Sequence, residues 1–262
     1  MKLTIITINY NDSTGLHKTI QSVINQTFND YEYIIIDGGS TDGSKEIIEK
    51  YSHKLTYWVS EKDTGIYNAM NKGIKQAKGE YCLFLNSGDW LINKNIIEEV
   101  VGNFSDKDIV YGDMQTPKGV WKNPDKLNFS ILLFSGIGHP VTFIRTSLFK
   151  KYGYYSENYK ILSDWEFMMI ALKKNTCSYK HINKVISYFN LDGISSDIKK
   201  SNIKEIESKD ILKKIFPVLV YDDYIELLQM RGEIEIYKNS KLIQAIKSIQ
   251  QSKLYKKIRG VA

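Results

Sequence analysis

The sequence predicts an α/β fold in which a doubly wound parallel sheet carries helices on both faces. Short apolar runs bounded by turn residues, typical of strands buried on both faces, alternate with segments of helical apolar spacing. This alternation occurs four times within the first ninety residues, and it is the order that gives parallel sheets covered by helices. The 262 residues, of which 42% are hydrophobic, suffice for one large core or for one domain with an appendage.

Each predicted strand of this half ends in polar residues. The predicted elements, in chain order, are a strand over 3–8, a helix over 14–26, a strand over 31–36, a helix that includes 47–51, a strand over 55–59, a helix over 66–77 and a strand over 81–85. Because the carboxyl ends of parallel strands meet at one edge of a sheet, the polar residues are expected to converge where open α/β sheets bind ligands. They are Asn9 to Asp12, Asp37, Asp63 and Asn86 to Asp89.

Asp89 follows the most apolar of these strands. The turn formed by Asn86, Ser87 and Gly88 brings its carboxylate to the edge of the sheet, where it can hold a hard cation and, through the cation, a diphosphate. Taken alone, Asp89 is equally consistent with a residue that caps the next helix.

Asp37 opens a glycine-rich loop that leaves room for a flat ligand close to the backbone. Its carboxylate could accept hydrogen bonds from the ring N–H of a base, although a turn or capping role is the alternative. Asp42 and Ser44 already supply the residues that a cap needs. The loop is neither a G-x-G-x-x-G dinucleotide motif nor a phosphate-binding P-loop.

Together, four ordered motifs resemble those of the family 2 glycosyltransferases, which have the GT-A fold. The motifs lie at Thr7 to Asp12, Asp37 to Ser44, Ser60 to Ile74 and Phe84 to Asp89. The resemblance covers residues 1–195 and implies a mixed sheet with a Rossmann-like nucleotide-binding half. The expected domains are therefore 1–195, divided into a nucleotide-sugar half (1–90) and an acceptor half (91–195), and a helical, basic C-terminal extension (196–262).

The resemblance also implies an activity. It is that of an inverting enzyme that moves a sugar from a nucleotide-diphosphate sugar, with UDP favoured, to a hydroxyl of a glycan or lipid-linked glycan, with Mn²⁺ or Mg²⁺. The residues that match the nucleotide-sugar site are Thr7, Asn9, Tyr10, Asp37, Asp63, Asn71, Ser87 and Gly88. Asp89 matches the last aspartate of the metal-binding DxD motif, whose first aspartate is replaced here by Ser87. One carboxylate, completed by phosphate oxygens and water, still suits Mg²⁺.

His139 stands between Gly138 and Pro140 at the start of the predicted strand 141–144. Imidazole binds Mn²⁺ well, so His139 is a candidate metal ligand. The alternative is a loop histidine that is hydrogen-bonded to the backbone.

Asp164 falls in the first turn of a predicted helix. Ser163 and Glu166 have the spacing of a capping box, and the helix dipole also favours a carboxylate there, so Asp164 has a structural explanation. By resemblance it matches the general base, which inversion requires on the side opposite the leaving diphosphate. Asp164 is the expected base, and Glu166 is the second candidate.

The later elements are predicted less fully. They are a helix over 93–104, a strand over 108–111 that ends at a turn containing Asp113, a loop over 117–124, strands over 176–182 and 185–189 separated by a turn at Asn183, and helices over 198–216, 218–230 and 234–258.

The charge is concentrated at the C-terminal end. Residues 241–262 contain six basic residues and no acidic one, which equals the net charge of +6, so the rest of the chain is balanced. A basic amphipathic helix is typical of a membrane-surface element, whereas packing on the domain or a dimer contact is the alternative. No aromatic residues are interleaved with the basic ones in a nucleic-acid-binding motif, so no nucleic-acid partner is expected.

The two cysteines have no metal-ligand spacing and form no disulfide framework, which favours a reducing compartment. No signal-peptide pattern or long apolar run is present. The expected location is cytoplasmic, with peripheral contact at the inner membrane face through 241–262.

Two other functions are considered. A nucleotidyltransferase would favour a basic, glycine-rich first loop, and the loop over Asn9 to Ser13 has neither glycine nor lysine. A non-catalytic nucleotide-sugar-binding partner is motivated by Ser87 and Gly88 in the metal motif, whereas Asp37, Asp89 and Asp164 argue against it.

Overall fold

The computed structural model describes residues 1–134, 136–173, 177–193, 201–241 and 243–244. Its strands are β1 (Leu3–Asn9), β2 (Tyr31–Asp37), β3 (Tyr57–Ser60), β4 (Tyr81–Phe84), β5 (Trp90–Leu91), β6 (Ile109–Thr116), β7 (Gly119–Trp121), β8 (Thr142–Arg145) and β9 (Tyr179–Tyr188). Its α-helices are α1 (Ser13–Ile24), α2 (Ser44–Tyr51), α3 (Ile66–Gln76), α4 (Ile96–Val101), α5 (Phe129–Phe134), α6 (Ser147–Tyr152), α7 (Ser163–Lys173), α8 (Ser201–Ile215) and α9 (Val218–Asn239).

The strands form one mixed sheet in the order β3-β2-β1-β4-β8-β6-β9-β5, and β7 pairs with β6. The first four strands in this order are parallel to one another, as the alternation of strands and helices predicts. Strand β8 then runs antiparallel to both β4 and β6, which makes the sheet mixed. The predicted fold class is thereby confirmed.

Two cores lie on opposite faces of the sheet, because successive side chains of a strand point to opposite faces. In β1, Leu3 and Ile5 join the core that α1 and α4 cover, whereas Ile6 and Ile8 join the core that α3 and α7 cover. Both faces of β1 and β4 are fully covered, which is why β4 is apolar throughout and the polar residues of β1, Thr4, Thr7 and Asn9, are buried. The buried strands fix the positions of the loops that follow them.

Three predictions of local structure are wrong. Asp113 lies inside β6 rather than in a turn, because β6 continues along β9 through an irregularity in the pairing register. The same pairing keeps β9 continuous through Asn183. Residues Gly119–Trp121 form β7 instead of a loop.

The chain divides into two units, one over Met1–Ser208 and the other over Lys209–Ala262. In the second unit, α9 is a single helix over Val218–Asn239, which includes the predicted helix 218–230 and the start of the predicted helix 234–258. Of the rest of the predicted helix 234–258, residue 242 and residues 245–258 lie outside the described residues. Within the described part of the chain, no helix is both long enough and apolar enough to cross a bilayer.

Candidate active site

A cavity of about 810 Å³ lies at the carboxyl edge of the parallel strands. Its walls come from the loops after β1, β2, β3 and β4, together with the start of α3, the loop before β8, the start of α7 and the segment after β9. The predicted site residues that line it are Asn9, Tyr10, Asp63, Ser87, Asp89, His139 and Asp164. Residues far apart in the sequence therefore meet where the topology predicts.

Asp89 is almost completely buried, with 3% of its surface exposed. Its Oδ1 accepts a hydrogen bond of 2.9 Å from the backbone N–H of Asn190, and its Oδ2 lies 3.9 Å from His139 Nε2. Gly88, which sets the turn, has φ of +89°, a conformation that residues with a side chain rarely adopt. Burial raises the pKa of Asp89 to about 7, even though the charge of His139 and the bond from Asn190 favour the ionised form.

Asp164 lies at the start of α7 and is held by two side chains from other parts of the chain. His139 Nδ1 is 3.5 Å from its Oδ2, and the Tyr67 hydroxyl is 2.9 Å from its Oδ1. Burial by itself would raise the pKa of this carboxyl, but the contacts with His139 and Tyr67 outweigh burial and lower it below its ordinary value. The group is therefore ionised at neutral pH, as a general base must be.

His139 lies between the two carboxylates. Burial disfavours the charged imidazole, but Asp164 and Asp89 outweigh burial and raise the pKa of His139. The contacts thus run from Asp89 through His139 to Asp164.

The chemistry of the cavity wall suits a hard divalent cation. Five aspartates line it, against two lysines and one histidine: Asp12, Asp63, Asp89, Asp164, Asp192, Lys62, Lys160 and His139. Such a wall would repel a diphosphate unless a cation were also bound. The described residues contain no group of three or more His, Cys, Asp or Glu side chains that could hold an ion by themselves, so ligands from a diphosphate or water would be needed.

An additional oxygen atom is available beside Asp89. Asn86 also lines the cavity, and its Nδ2 lies 3.0 Å from His139 Nε2. Its buried Oδ1 has no hydrogen-bond partner within the described structure. An unpaired buried amide oxygen is costly, and a cation that accepts oxygen ligands would satisfy it.

The family model of glycosyl transferase family 2 matches residues 4–175, about two thirds of the chain. This match includes all four motifs, the candidate metal ligand Asp89 and the candidate base Asp164. The chain belongs to the family 2 glycosyltransferases.

Relatives and solved structures agree with this assignment. The glycosyltransferase is 29% identical over 202 residues to a PGL/p-HBAD biosynthesis glycosyltransferase of Mycobacterium bovis, covering 74% of this chain and 79% of the relative. It is 31% identical over 211 residues to an uncharacterized glycosyltransferase of Mycobacterium tuberculosis, covering 77% and 79%.

Two solved structures show the same fold at low identity. S. aureus TarS 1–349 in complex with UDP-GlcNAc superposes with a TM-score of 0.66 at 23% identity, covering 85% of this chain and 70% of the TarS 1–349 chain. The mannosyltransferase PcManGT from Pyrobaculum calidifontis, in complex with GDP-Man and Mn²⁺, has a TM-score of 0.64 at 14% identity, covering 99% and 83%. The predicted family and GT-A fold are confirmed.

Five predicted site residues of the glycosyltransferase are absent from the cavity wall: Thr7, Asp37, Asn71, Gly88 and Glu166. Asp37 is fully buried, and its two oxygens accept hydrogen bonds from Asn9, Ser40, Ser60 and the backbone N–H of Gly39. These donors outweigh burial and lower the pKa of Asp37. Its carboxylate therefore holds the ends of β1 and β3 to the loop after β2.

Thr7 and Asn71 have comparable internal contacts. The Thr7 hydroxyl donates to Leu85 O at 2.7 Å, which ties β1 to the end of β4. The Asn71 side chain donates to Tyr155 O at 2.8 Å and accepts from Tyr155 N at 3.0 Å, which fixes the chain ahead of α7. Both residues support the cavity from behind its surface.

The cavity also contains residues that the sequence interpretation did not assign to it. They are mainly Lys62, Tyr67, Lys160, Phe189, Asn190 and Asp192. Asp12 and Asn86, which follow strands β1 and β4, also line the cavity, as the rule about strand ends predicts. Asn190 comes two residues after β9, which runs in the same direction as β4, so the same rule could have identified it. Lys160 follows no such rule, because it precedes a helix and reaches this edge only through the folding of the second half.

We expect the metal-free glycosyltransferase to lose stability as the pH rises from about 5 to about 8. With a pKa of about 7, Asp89 keeps its proton in the folded state where an unfolded aspartate has already lost it. Because the folded state binds more protons in this interval, the free energy of unfolding falls with pH, by at most about 1.4 kcal/mol per pH unit for this group. The raised pKa of His139 acts in the same direction.

Unfolding midpoints measured in EDTA across this pH range test the expectation. The variant Asp89→Asn has no carboxyl at this position, so its midpoint should depend less on pH. A wild-type midpoint that rises with pH, or a variant with the same slope as the wild type, would show that Asp89 does not hold a proton in the folded state.

Proposed function

We propose that this glycosyltransferase transfers a sugar, with inversion, from a nucleotide-diphosphate sugar to a hydroxyl of a glycan or lipid-linked glycan. The observation that carries the proposal is the chain Asp89–His139–Asp164 within one cavity at the strand ends. Asp89 lies beside the proposed position of the cation. Asp164, whose lowered pKa keeps it ionised, lies on the other side of His139.

Asp164 acts as the general base. Its carboxylate takes the proton of the acceptor hydroxyl while the oxygen of that hydroxyl forms a bond to the anomeric carbon of the donor. On the opposite face of the sugar, the bond from the anomeric carbon to the diphosphate oxygen breaks, and the nucleoside diphosphate leaves with the electron pair. Tyr67 and His139 fix the direction of the carboxylate, which reduces the entropy cost of the step.

Asp89, His139 and Asn86 Oδ1 would hold Mn²⁺ or Mg²⁺. This set of oxygen and nitrogen donors suits either ion, and Mn²⁺ accepts imidazole more readily than Mg²⁺ does. When bound, the ion neutralises the negative charge that develops on the leaving diphosphate. Lys62 and Lys160, which also line the cavity, supply further positive charge from the protein.

The nucleoside is proposed to bind near Asn9, Tyr10 and Asp63. Tyr10 is 67% exposed, so its ring is free to stack on a base. UDP is favoured as the nucleotide, and the fold shared with the TarS complex containing UDP-GlcNAc supports this choice. The GDP-Man complex of PcManGT keeps GDP as the alternative that an experiment must compare.

Contact with the inner face of a membrane through 241–262 is proposed from the basic sequence alone. Residue 242 and residues 245–262 lie outside the described residues. A cytoplasmic location is proposed because the two cysteines form no disulfide framework, which favours a reducing compartment.

A thermal-shift panel of UDP, GDP, CMP and their sugars, with and without Mn²⁺, tests the proposed donor. A ligand that binds only the folded state stabilises it by RT ln(1 + [L]/Kd), which is about 2.7 kcal/mol at a hundred times Kd. We expect a manganese-dependent rise of the midpoint with uridine nucleotides. A larger rise with guanosine nucleotides would replace UDP by GDP, and no rise with any nucleotide would contradict the proposed donor class.

A further inference from the structure

A buried glutamate lies behind the start of α7. Glu207, which belongs to α8, is 7% exposed. Its Oε1 accepts the backbone N–H of Lys160 at 2.6 Å, and its Oε2 accepts those of Ile161 and Leu162 at 3.0 Å each. One carboxylate thus binds three consecutive amides of a segment far from it in the sequence.

These bonds replace the cap that the sequence predicts. The helix begins at Ser163, whose buried Oγ has no partner among the described residues. The N–H of Glu166 donates to Leu162 O at 2.9 Å, so Ser163 and Glu166 do not form the predicted capping box. Bonds from amides to an ionised carboxylate are shorter and stronger than neutral ones, and three of them fix the segment firmly.

The fixed segment carries two groups of the cavity. Lys160 is at its start, Asp164 follows its end, and both line the cavity. The Tyr67 hydroxyl donates to Ile161 O of the same segment at 2.5 Å. Residues 160–164 are therefore held both by Tyr67 of α3 and by Glu207 in the first part of α8.

We propose that Glu207 is a positioning residue for the transfer reaction, which it serves by holding residues 160–164 so that Asp164 points at the acceptor hydroxyl. This inference rests on the proposed role of Asp164 as the base. It also extends the catalytic unit beyond residue 195, the boundary that the sequence predicts, to include the first part of α8.

The variant Glu207→Gln tests this role. Glutamine has nearly the size of glutamate, but one of its oxygens is replaced by an NH₂ group that would face backbone N–H donors, so at least one of the three bonds is lost. Since a displacement of about 1 Å in a reacting group can cost about 10²-fold in rate, we expect kcat to fall at least about tenfold. We expect the Kd of the nucleotide with Mn²⁺ to rise by less than kcat falls, because the loops after β1 to β4 are untouched and only Lys160, of the groups proposed to bind the donor, lies on the released segment.

Matched variants distinguish positioning from general stability. Glu205→Gln changes an exposed glutamate of the same helix and should leave kcat unchanged. Glu207→Asp retains the charge on a shorter side chain and should give a kcat between the wild type and Glu207→Gln. All rates are measured well below each unfolding midpoint, so that loss of folded protein does not lower kcat.

The outcomes separate this inference from the proposed function. A Glu207→Gln enzyme with a lower midpoint but a kcat within twofold of wild type would overturn the positioning role. If it fails to fold, a wild-type kcat in Glu207→Asp would also count against the role, and a reduced kcat would support it. Asp164→Asn, assayed in parallel, tests the base itself: an active Asp164→Asn enzyme would refute the proposed base regardless of Glu207.

Discussion

Replacing Asp164 with asparagine is expected to lower kcat by about 10³-fold, within the range of about 10² to 10⁴ that general bases contribute. Asparagine keeps the size of the side chain and its hydrogen bond with Tyr67, but it cannot take a proton from the acceptor hydroxyl. The hydroxyl would then have to attack without prior or concerted deprotonation. The substitution removes an interaction that matters in the transition state, so the Kd of the donor should stay nearly unchanged.

Glu166→Gln is the matched control. Glu166 occupies the first turn of α7, like Asp164, but it does not line the cavity. We expect single-turnover rates to fall in Asp164→Asn and to remain near wild type in Glu166→Gln, with donor Kd measured by calorimetry for both. A slower rate in Glu166→Gln than in Asp164→Asn would make Glu166 the base. Loss of donor binding in Asp164→Asn would assign Asp164 to the donor site.

Replacing Asp89 with alanine is expected to abolish the manganese-dependent part of donor binding. The buried carboxylate is the strongest anionic ligand at the proposed ion position, and neither His139 nor Asn86 carries a negative charge to replace it. Without the ion, several kcal/mol of charge stabilisation is lost, so turnover should fall by at least about 10²-fold. Removing Mn²⁺ from the wild type with EDTA should have a similar effect.

The measurement is the rise of the unfolding midpoint with UDP, in the presence and absence of Mn²⁺. Asp89→Asn is included because it preserves the volume of the side chain and guards against a collapsed cavity in the alanine variant. Asp106→Asn is the control, since its side chain is 99% exposed and an asparagine tolerates its φ of +57°. A manganese-dependent rise that survives in both Asp89 variants would mean that the ion is held elsewhere or is not needed.

The sequence determined the first half of the molecule because local signals agree there with the tertiary fold. Apolar runs such as 3–8 and 81–85 became β1 and β4, since a strand buried on both faces has no other stable place than the centre of a sheet. The parallel order of the strands then decided which residues meet. Asn9, Asp63 and Asp89 share one cavity for this reason, although they lie far apart in the sequence.

Only the tertiary structure decided which predicted residues face the cavity. Asp37 and Asn71 belong to motifs of the family, but their polar atoms are used by neighbouring loops and not by the cavity surface. Long-range pairing likewise kept Asp113 inside β6, against the turn preference of Gly112 and Asp113. Side-chain direction and strand pairing depend on partners distant in the sequence, which local patterns do not report.

The contacts that hold the proposed base, Asp164, show most clearly what a local sequence pattern does not report. Ser163 and Glu166 have the spacing of a capping box, and that local pattern does not reveal that Glu207 binds the amides before the helix instead. Burial of the Glu207 carboxylate against three N–H groups depends on the position of the first part of α8, which residues distant in the sequence decide. The sequence thus determined the fold and the candidate carboxylates, whereas tertiary contacts decided how Asp89 and Asp164 are held and ionised.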